Sequence, residues 1–473
     1  MVDFIRGDEF GPSVDRHGSP LNVVCGDPMD RNIQQLQSVA DDRGVDLKVY
    51  FARKSNKCIE FIDQARRSGA GLDTASENEL RQCLDRGVAP DDIICTAAVK
   101  DDHLMDCCLR NHVCLSIDNL DELTVYAAKA KQSSIAGRVA LRLGGFRHGG
   151  NKLWTRFGFD VDDVSVIDHL SDLGLVVQGI HFHLDGYEAG QRVAAIEQSI
   201  GWIHRLRGIS QSPFFLDIGG GFPISYLDDR SQWTAFWDQH AASVIGGDHR
   251  VTYRDHPMGR QVLGGVVRGK PNNYPYYQSV TRQQWFAKVL DTEIGNQTVA
   301  ELIRQNDLQL RCEPGRSLMD GCGLTITRVE YVKTNAAGDT LVGVSMNRTQ
   351  CRTSSDDFMI DPIVVRPSNQ DPVGSNPDTQ VWTNPTGNPS RNPAGDTDVD
   401  GFFVGAYCTE SELISLRRFR FPGGIARGDL VVWPNTAGYM MHFLESRSHQ
   451  LPLAKNLVVR GDESVGLDGI DQL

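Results

Sequence analysis

Eight short runs of β-branched, aromatic and other apolar residues, separated by helix-like segments between about residues 45 and 330, constrain this chain more than any other feature. They span 47–52, 71–74, 93–97, 114–117, 139–143, 176–183, 214–218 and 308–312, and each ends near Gly, Asp or another polar residue. Strands that alternate with helices predict a parallel sheet with crossover helices, and eight is the number a closed β/α barrel requires. The helices carry start signals. Ser76 precedes Glu79 by three positions, so its hydroxyl can cap the first turn while the acid answers. Segments 119–130 and 161–173 read as further helices, the former with an acidic first turn.

Two segments interrupt the alternation. Residues 246–277 are rich in Gly, Arg, Tyr and Pro, residues 367–400 are crowded with Pro, Asn, Asp and Gly, and both read as long loops or insertions. Residues 323–344 and 401–445 are β-rich, with turn punctuation at Phe421-Pro422-Gly423-Gly424, and predict a smaller β domain. The expected organisation is an N-terminal segment 1–28 packing with the β domain, a barrel over 29–320 interrupted by the insertion, and a mainly β domain over 321–473.

Sixty-one acidic against 48 basic residues give a formal charge of −13, so a global basic field for nucleic acid or an anionic membrane surface is missing. No apolar run approaches the roughly 18 to 20 residues a membrane span needs. Asp3, Asp8 and Glu9 stand where a signal peptide would need basic and then apolar residues, so the expected location is the cytoplasm. The eleven cysteines lack CxxC or Cys/His spacing and read as reduced, mostly buried thiols, with no structural zinc.

In a β/α barrel the C-terminal strand ends converge on one mouth, here bringing Lys54, Asp73, His181, His183, Asp217 with Gly219, Gly220 and Gly221, and Glu313-Pro314-Gly315-Arg316 together. Each alone has an ordinary reading: a solvated lysine, a bare glycine turn, a core histidine. His181 and His183 share one strand face, as metal ligands can, but no third ligand completes the set locally, and no metal is expected. Three consecutive glycines expose backbone N–H groups that can wrap a phosphate, and Arg316 adds a planar cation for the same anion. An amine, a flat imidazole, a carboxylate and a phosphate cradle together match what pyridoxal 5'-phosphate needs.

The ordered motifs Phe51-Ala52-Arg53-Lys54-Ser55-Asn56, Asp73-Thr74-Ala75-Ser76, His181-Phe182-His183, Asp217-Ile218-Gly219-Gly220-Gly221-Phe222-Pro223, Glu313-Pro314-Gly315-Arg316 and Gly405-Ala406-Tyr407-Cys408 span the chain. In order and context it resembles the fold-type III pyridoxal-phosphate-dependent decarboxylases of the ornithine and diaminopimelate type. The resemblance implies an eight-stranded β/α barrel of TIM-like, alanine-racemase type followed by a C-terminal β domain. It also implies a homodimer with shared active sites. Lys54 would be the Schiff-base lysine, His183 the ring-stacking imidazole, Glu313 the partner of the pyridine nitrogen and Asp73 the acid near the lysine. Gly219, Gly220, Gly221, Gly315 and Arg316 would hold the phosphate with Tyr439, and Cys408 of the partner subunit would donate the proton.

The implied reaction is decarboxylation of a diamino acid of the diaminopimelate, ornithine or lysine class, or of a conjugate. The chain departs from the family pattern where a distal group is read. Leu184-Asp185-Gly186-Tyr187 supplies no serine after His183, and Thr409-Glu410-Ser411-Glu412 follows the cysteine. Thr409, Glu410 and Arg366 are the candidate substrate contacts. The basic insertion, with Arg250, Arg254, Arg260, Arg268 and Lys270, raises a citryl-diamine intermediate of siderophore assembly as an alternative substrate. A racemase on the same barrel and a catalytically silent relative of the decarboxylases compete with this reading; Glu313 argues against the racemase, and Lys54, His183 and Arg316 argue against the silent relative.

Overall fold

Eight parallel strands close on themselves. In a computed structural model the strands Leu47–Ala52, Gly71–Thr74, Ile93–Cys95, Cys114–Ile117, Arg138–Gly144, Val176–Phe182, Phe215–Asp217 and Gln309–Cys312 pair in that order, and Gln309–Cys312 pairs back onto Leu47–Ala52. The structure describes all residues except 1–3, 6, 8–9, 171–172, 248–249, 354–356, 367–398, 463 and 473, so nearly all of the loop expected at 367–400 lies outside the described residues. The eight strands coincide with the eight apolar runs to within a few residues, and the barrel expectation holds.

The period of two along each strand turns alternate side chains into the barrel. Tyr50, Ile94, Cys114, Ala140 and Phe215 form a buried layer there. Two glycines make room for its large members: a Cβ on Gly71 would lie 2.5 Å from the Tyr50 ring, and one on Gly179 would lie 2.4 Å from the Phe215 ring. Large residues opposite small ones fill the interior at close packing.

Ser76 caps the Glu77–Asp85 helix through the N–H of Glu79, but the Glu79 carboxylate accepts from Ala75 N instead of closing the expected box. Asn119 caps Leu120–Ser133 through Glu122 N. The helix expected from 161 begins only at Ser165, because Val161 N bonds back to Gly144 O and Asp163 Oδ1 takes the Ser165 N–H; residues 171–172 of the expected span lie outside the described residues. Those bonds hold 161–164 as a turn.

The chain divides into two compact units, one of Pro28–Pro223 with Val280–Leu318, the other of Met1–Asp27, Ile224–Ser279 and Met319–Leu473. The barrel belongs to the former. In the latter, Leu21–Val24 lies between Gly323–Thr334 and Lys455–Val459, antiparallel to one and parallel to the other. Leu21, Val23, Leu324, Ile326, Val432 and Leu457 turn to one face and pack with Phe10 and Val14. The alternate residues form a buried polar ladder, Thr325 Oγ1 donating to Asn22 Oδ1 at 2.9 Å and Asn22 Nδ2 to Asn456 Oδ1 at 3.1 Å.

The 246–277 insertion is structured. Gln261–Leu263 and Val266–Arg268 form an antiparallel hairpin, the rings of Tyr274 and Tyr276 pack around Tyr226, and Tyr276 Oη donates to Asp357 O. Arg250 pairs with Asp339 at 2.8 Å, and Arg260 lies over the Trp237 ring.

Candidate active site

Inward-facing residues at the C-terminal ends of the barrel strands form a charged layer above the apolar one. The Lys54 ammonium donates to Asp73 Oδ2 at 3.0 Å, and Thr96 donates to the other oxygen of the same carboxylate. Asp73 is fully enclosed, whereas the Lys54 side chain is 36% exposed. Burial, with the charge of Glu313 next in size, raises the Asp73 carboxyl above the ordinary range, while Lys54 pulls it down. Lys54 sits on a single turn, Arg53–Ser55, fixed from below by Arg53, whose guanidinium donates to the carbonyls of Asn56, Cys58 and Lys57.

Glu313, Asp217 and His181 stand at the ends of adjacent strands, with one ligand atom of each within 4.8 Å of the others. His181 Nε2 lies 3.6 Å from Glu313 Oε2, and its Nδ1 lies 2.7 Å from Ser116 Oγ. Asp217 Oδ1 accepts from Gly219 N at 2.9 Å, but Asp217 Oδ2, Glu313 Oε1 and His181 Nε2 are buried without a hydrogen-bond partner. Burial raises both carboxyls, and the charge of Glu313 adds to the shift of Asp217. Two carboxylates this close favour keeping a proton on the pair. Burial and Arg142 push His181 well down, so its imidazole is neutral.

The glycine turn packs between these groups. A Cβ on Gly219, whose φ is +65°, would lie 2.5 Å from Phe182 O, and one on Gly220 would lie 2.7 Å from Glu313 O. Glu313 N donates to Gly219 O at 3.0 Å, and Gly220 N donates to His183 Nδ1 at 3.2 Å. The His183 ring is thereby fixed with Nδ1 as acceptor; burial, then the charges of Lys54 and Arg192, push its pKa well below the ordinary value. Arg192, fully buried, bridges the Ile218 and Gly220 carbonyls at 2.8 and 2.9 Å. Gly315 is buried and Arg316 half-buried in the same unit.

These residues fit pyridoxal 5'-phosphate. An acceptor oxygen of Glu313 lies buried without a donor, as a ring nitrogen carrying a proton requires, and the site also offers an amine, a flat imidazole and a turn open only to glycine. The metal-like trio is the same Glu313 with its neighbours. The structure therefore brings Lys54, Asp73, His183, Gly219 to Gly221, Glu313, Gly315 and Arg316 into one unit. Thr96, Ser116, Arg142 and Arg192 also support this layer and escaped the sequence reading. Thr96, Ser116 and Arg142 share the inward parity of their strands, the one signal available; Arg192 lies on a helix and gave none.

The remaining candidates belong to the other unit. Cys408, Thr409 and Glu410 are exposed on a tight turn in which Thr409 N bonds to Tyr407 O and Glu412 N to Thr409 O. Glu412 beneath it is buried and accepts from Arg348 N. Arg366 donates to the Gly423 carbonyl at 2.5 Å. Tyr439 has φ +69° and meets Phe443 edge-on at 5.6 Å.

Residues 29–246 match the family described as pyridoxal-dependent decarboxylase, pyridoxal binding domain. The uncharacterized protein y4yA of Sinorhizobium fredii is 30% identical over 457 residues, 94% of this chain and 89% of that one. The chain belongs to the fold-type III pyridoxal-phosphate-dependent decarboxylases. It is an enzyme of that family, with pyridoxal 5'-phosphate as its cofactor. The diaminopimelate decarboxylase of Pseudomonas aeruginosa is 23% identical over 73% of this chain and 72% of its own. The diaminopimelate decarboxylase of Helicobacter pylori complexed with L-lysine shares the fold, with a TM-score of 0.69 at 16% identity over 98% of each chain. Ten of the eleven cysteines are buried and Cys408 is exposed, all as free thiols. Among the described residues no helix is long and apolar enough to cross a membrane.

Proposed function

We infer that this decarboxylase acts on a diamino acid of the diaminopimelate, ornithine or lysine class, or on a conjugate of one, in a homodimer whose two sites are shared. The observation that carries the reading is the Lys54 and Asp73 contact at 3.0 Å in the same inward layer as the donor-less Glu313 oxygen. Lys54 would hold the cofactor's aldehyde carbon, Glu313 its ring nitrogen, His183 a ring face, and Gly219, Gly220, Gly221, Gly315, Arg316 and Tyr439 its phosphate. When bound, the cofactor supplies the sink for the electron pair left by a departing carboxylate.

The chain's own groups do the rest. Asp73 orients the Lys54 nitrogen and stabilises its proton at Nζ. Glu313, once opposite a positive ring nitrogen, gains a partner of opposite charge, which favours its ionised form over the raised carboxyl it otherwise has. His183 is kept neutral and flat, so it covers a ring without adding charge. Cys408 of the partner subunit would deliver a proton from Sγ to the carbon that has lost its carboxylate, an assignment supported by the exposure of the 408–410 turn. Thr409, Glu410 and Arg366 remain the groups assigned to the substrate's distal end.

A decarboxylation screen over lysine, ornithine, arginine, meso-diaminopimelate and N-acylated diamines tests the reading. CO2 release with a diamine product is expected. Inversion of chirality without CO2, or no turnover of any member, would overturn it.

A second reading, a citryl-diamine conjugate, is favoured by Arg254, Arg268 and Lys270, which are exposed on the insertion and take part in no ion pair among the described residues. Shortening that hairpin should raise KM for carboxylate-bearing conjugates and leave simple diamino acids unaffected.

A further inference from the structure

The barrel has a second mouth. At the N-terminal ends of its strands, Lys48, Tyr50, Asp91, Asp92, Arg138 and Arg311 help to line a cavity of about 370 Å³. Position along the strands, not parity, separates it from the lysine site. Arg311 and Glu313 follow one another two residues apart, so both turn inward, one toward each end of the barrel. The Tyr50 and Phe215 layer lies between the two ends.

Arg311 is the unusual member. It is only 6% exposed. Its guanidinium lies 3.8 Å above the Phe215 ring and within 5.3 Å of the Tyr50 and Phe214 rings, and Nε donates to Gln309 Oε1 at 2.8 Å. The two carboxylates lining the cavity are already taken, since Asp92 pairs with Lys48 at 2.8 Å and Asp91 with Arg138. Among the described residues Arg311 makes no ion pair. Three cations against two acids leave one positive charge on a fork held in place by aromatic faces. The Arg311 charge reaches Asp217 and pulls that carboxyl down, but no carboxylate contacts the guanidinium among the described residues; a buried charge without a contacting partner is costly, and an arriving anion relieves that cost.

We propose that this cavity binds a small monocarboxylate, its two oxygens on the terminal nitrogens of Arg311 and its carbon skeleton against Tyr50 and Phe214. A planar guanidinium fork matches a carboxylate in two parallel bonds, and a single surplus charge balances a monoanion. Asp91 and Asp92 at the rim oppose a dianion. The volume lies at the lower end of small-molecule pockets.

Equilibrium dialysis of the cofactor-loaded enzyme against radiolabelled lactate tests the proposal. The expected result is one saturable site per chain that weakens at least about tenfold in Arg311→Gln. Arg138→Glu, at a half-exposed rim position, reverses the surplus charge without opening the aromatic stack and should weaken binding comparably. Lys54→Ala, at the other mouth, should leave binding unchanged. The proposal is overturned by absence of saturable binding up to about 50 mM, an affinity so low that no built site remains. Unaltered binding in Arg138→Glu, or loss of binding in Lys54→Ala, would also overturn it. So would displacement of lactate by inorganic phosphate at lower concentration than by acetate.

Discussion

Asp73 accepts the Lys54 ammonium on one carboxylate oxygen and the Thr96 hydroxyl on the other. The Thr96 bond fixes the carboxylate plane, so the lysine nitrogen is held by a group that cannot rotate away. Asp73→Asn keeps the shape and removes the charge. Its kcat is expected to fall about 10²-fold or more, as for loss of a group that places a transferred proton. Far-UV circular dichroism should be unchanged. Thr96→Val, which frees the carboxylate to rotate, should give a smaller loss of the same kind; wild-type rates in both variants would dismiss the pair.

The Asp217 and Glu313 carboxyls, both raised by burial, make stability depend on pH. A carboxyl whose folded pKa lies above its unfolded value binds more protons in the folded chain. Its favourable contribution is complete below the ordinary carboxylate range of about 4 and is lost as pH rises through the folded pKa. His181 acts in the opposite sense: its pKa is pushed down, so stability is lost as pH falls below about 6.5. Asp217→Asn removes only the carboxyl contribution. With cofactor removed, the stability of this variant relative to wild type should climb as pH rises from about 4 toward 8. Parallel melting profiles for the two proteins would contradict the arrangement.

The eight strands were legible because a parallel barrel buries both strand faces, which writes each strand as a short apolar run. Lys54, Glu313 and the Gly219 to Gly221 turn were legible because their chemistry is rare at strand ends. Thr96 and Ser116 were not, since one hydroxyl in an apolar strand resembles any other until its partner, Asp73 or His181, is placed by pairing several strands away. Arg192 gave no signal in the sequence, and it is fully buried because two carbonyls of the glycine turn need donors. The 246–277 segment lacks periodicity, so its tyrosine cluster emerges only in three dimensions.

Gly220 admits no side chain. A methyl there would meet the Glu313 carbonyl at 2.7 Å, and a backbone oxygen cannot swing aside as a flexible side chain could. Gly220→Ala is expected to cost about 1–3 kcal/mol of stability by overpacking. It should also weaken cofactor retention, measured by absorbance of the bound cofactor after gel filtration. Gly201→Ala is the control. Its Cβ would meet only Arg205 Nη1 at 3.9 Å within the Ala189–Gly208 helix, so a gain of about 0.5–1 kcal/mol is expected. A cofactor affinity equal to wild type in Gly220→Ala would show that the turn is not the phosphate cradle.

If the two sites of a homodimer are shared, Lys54 and Cys408 of one site come from different subunits, and two inactive variants can repair each other. Lys54→Ala retains its thiol, and Cys408→Ala retains its lysine. Mixed after dissociation, half of the dimers would be hybrids, each with one complete site of two, so activity should recover to about a quarter of wild type. The exposed turn that carries Cys408 is held from beneath by Glu412 and from one side by Tyr407, whose ring stacks on His449 at 5.2 Å. Substitution of the thiol therefore leaves the turn in place. Recovery near zero with hybrids demonstrated by native mass spectrometry would place Lys54 and Cys408 in the same chain's site, or remove Cys408 from the chemistry altogether.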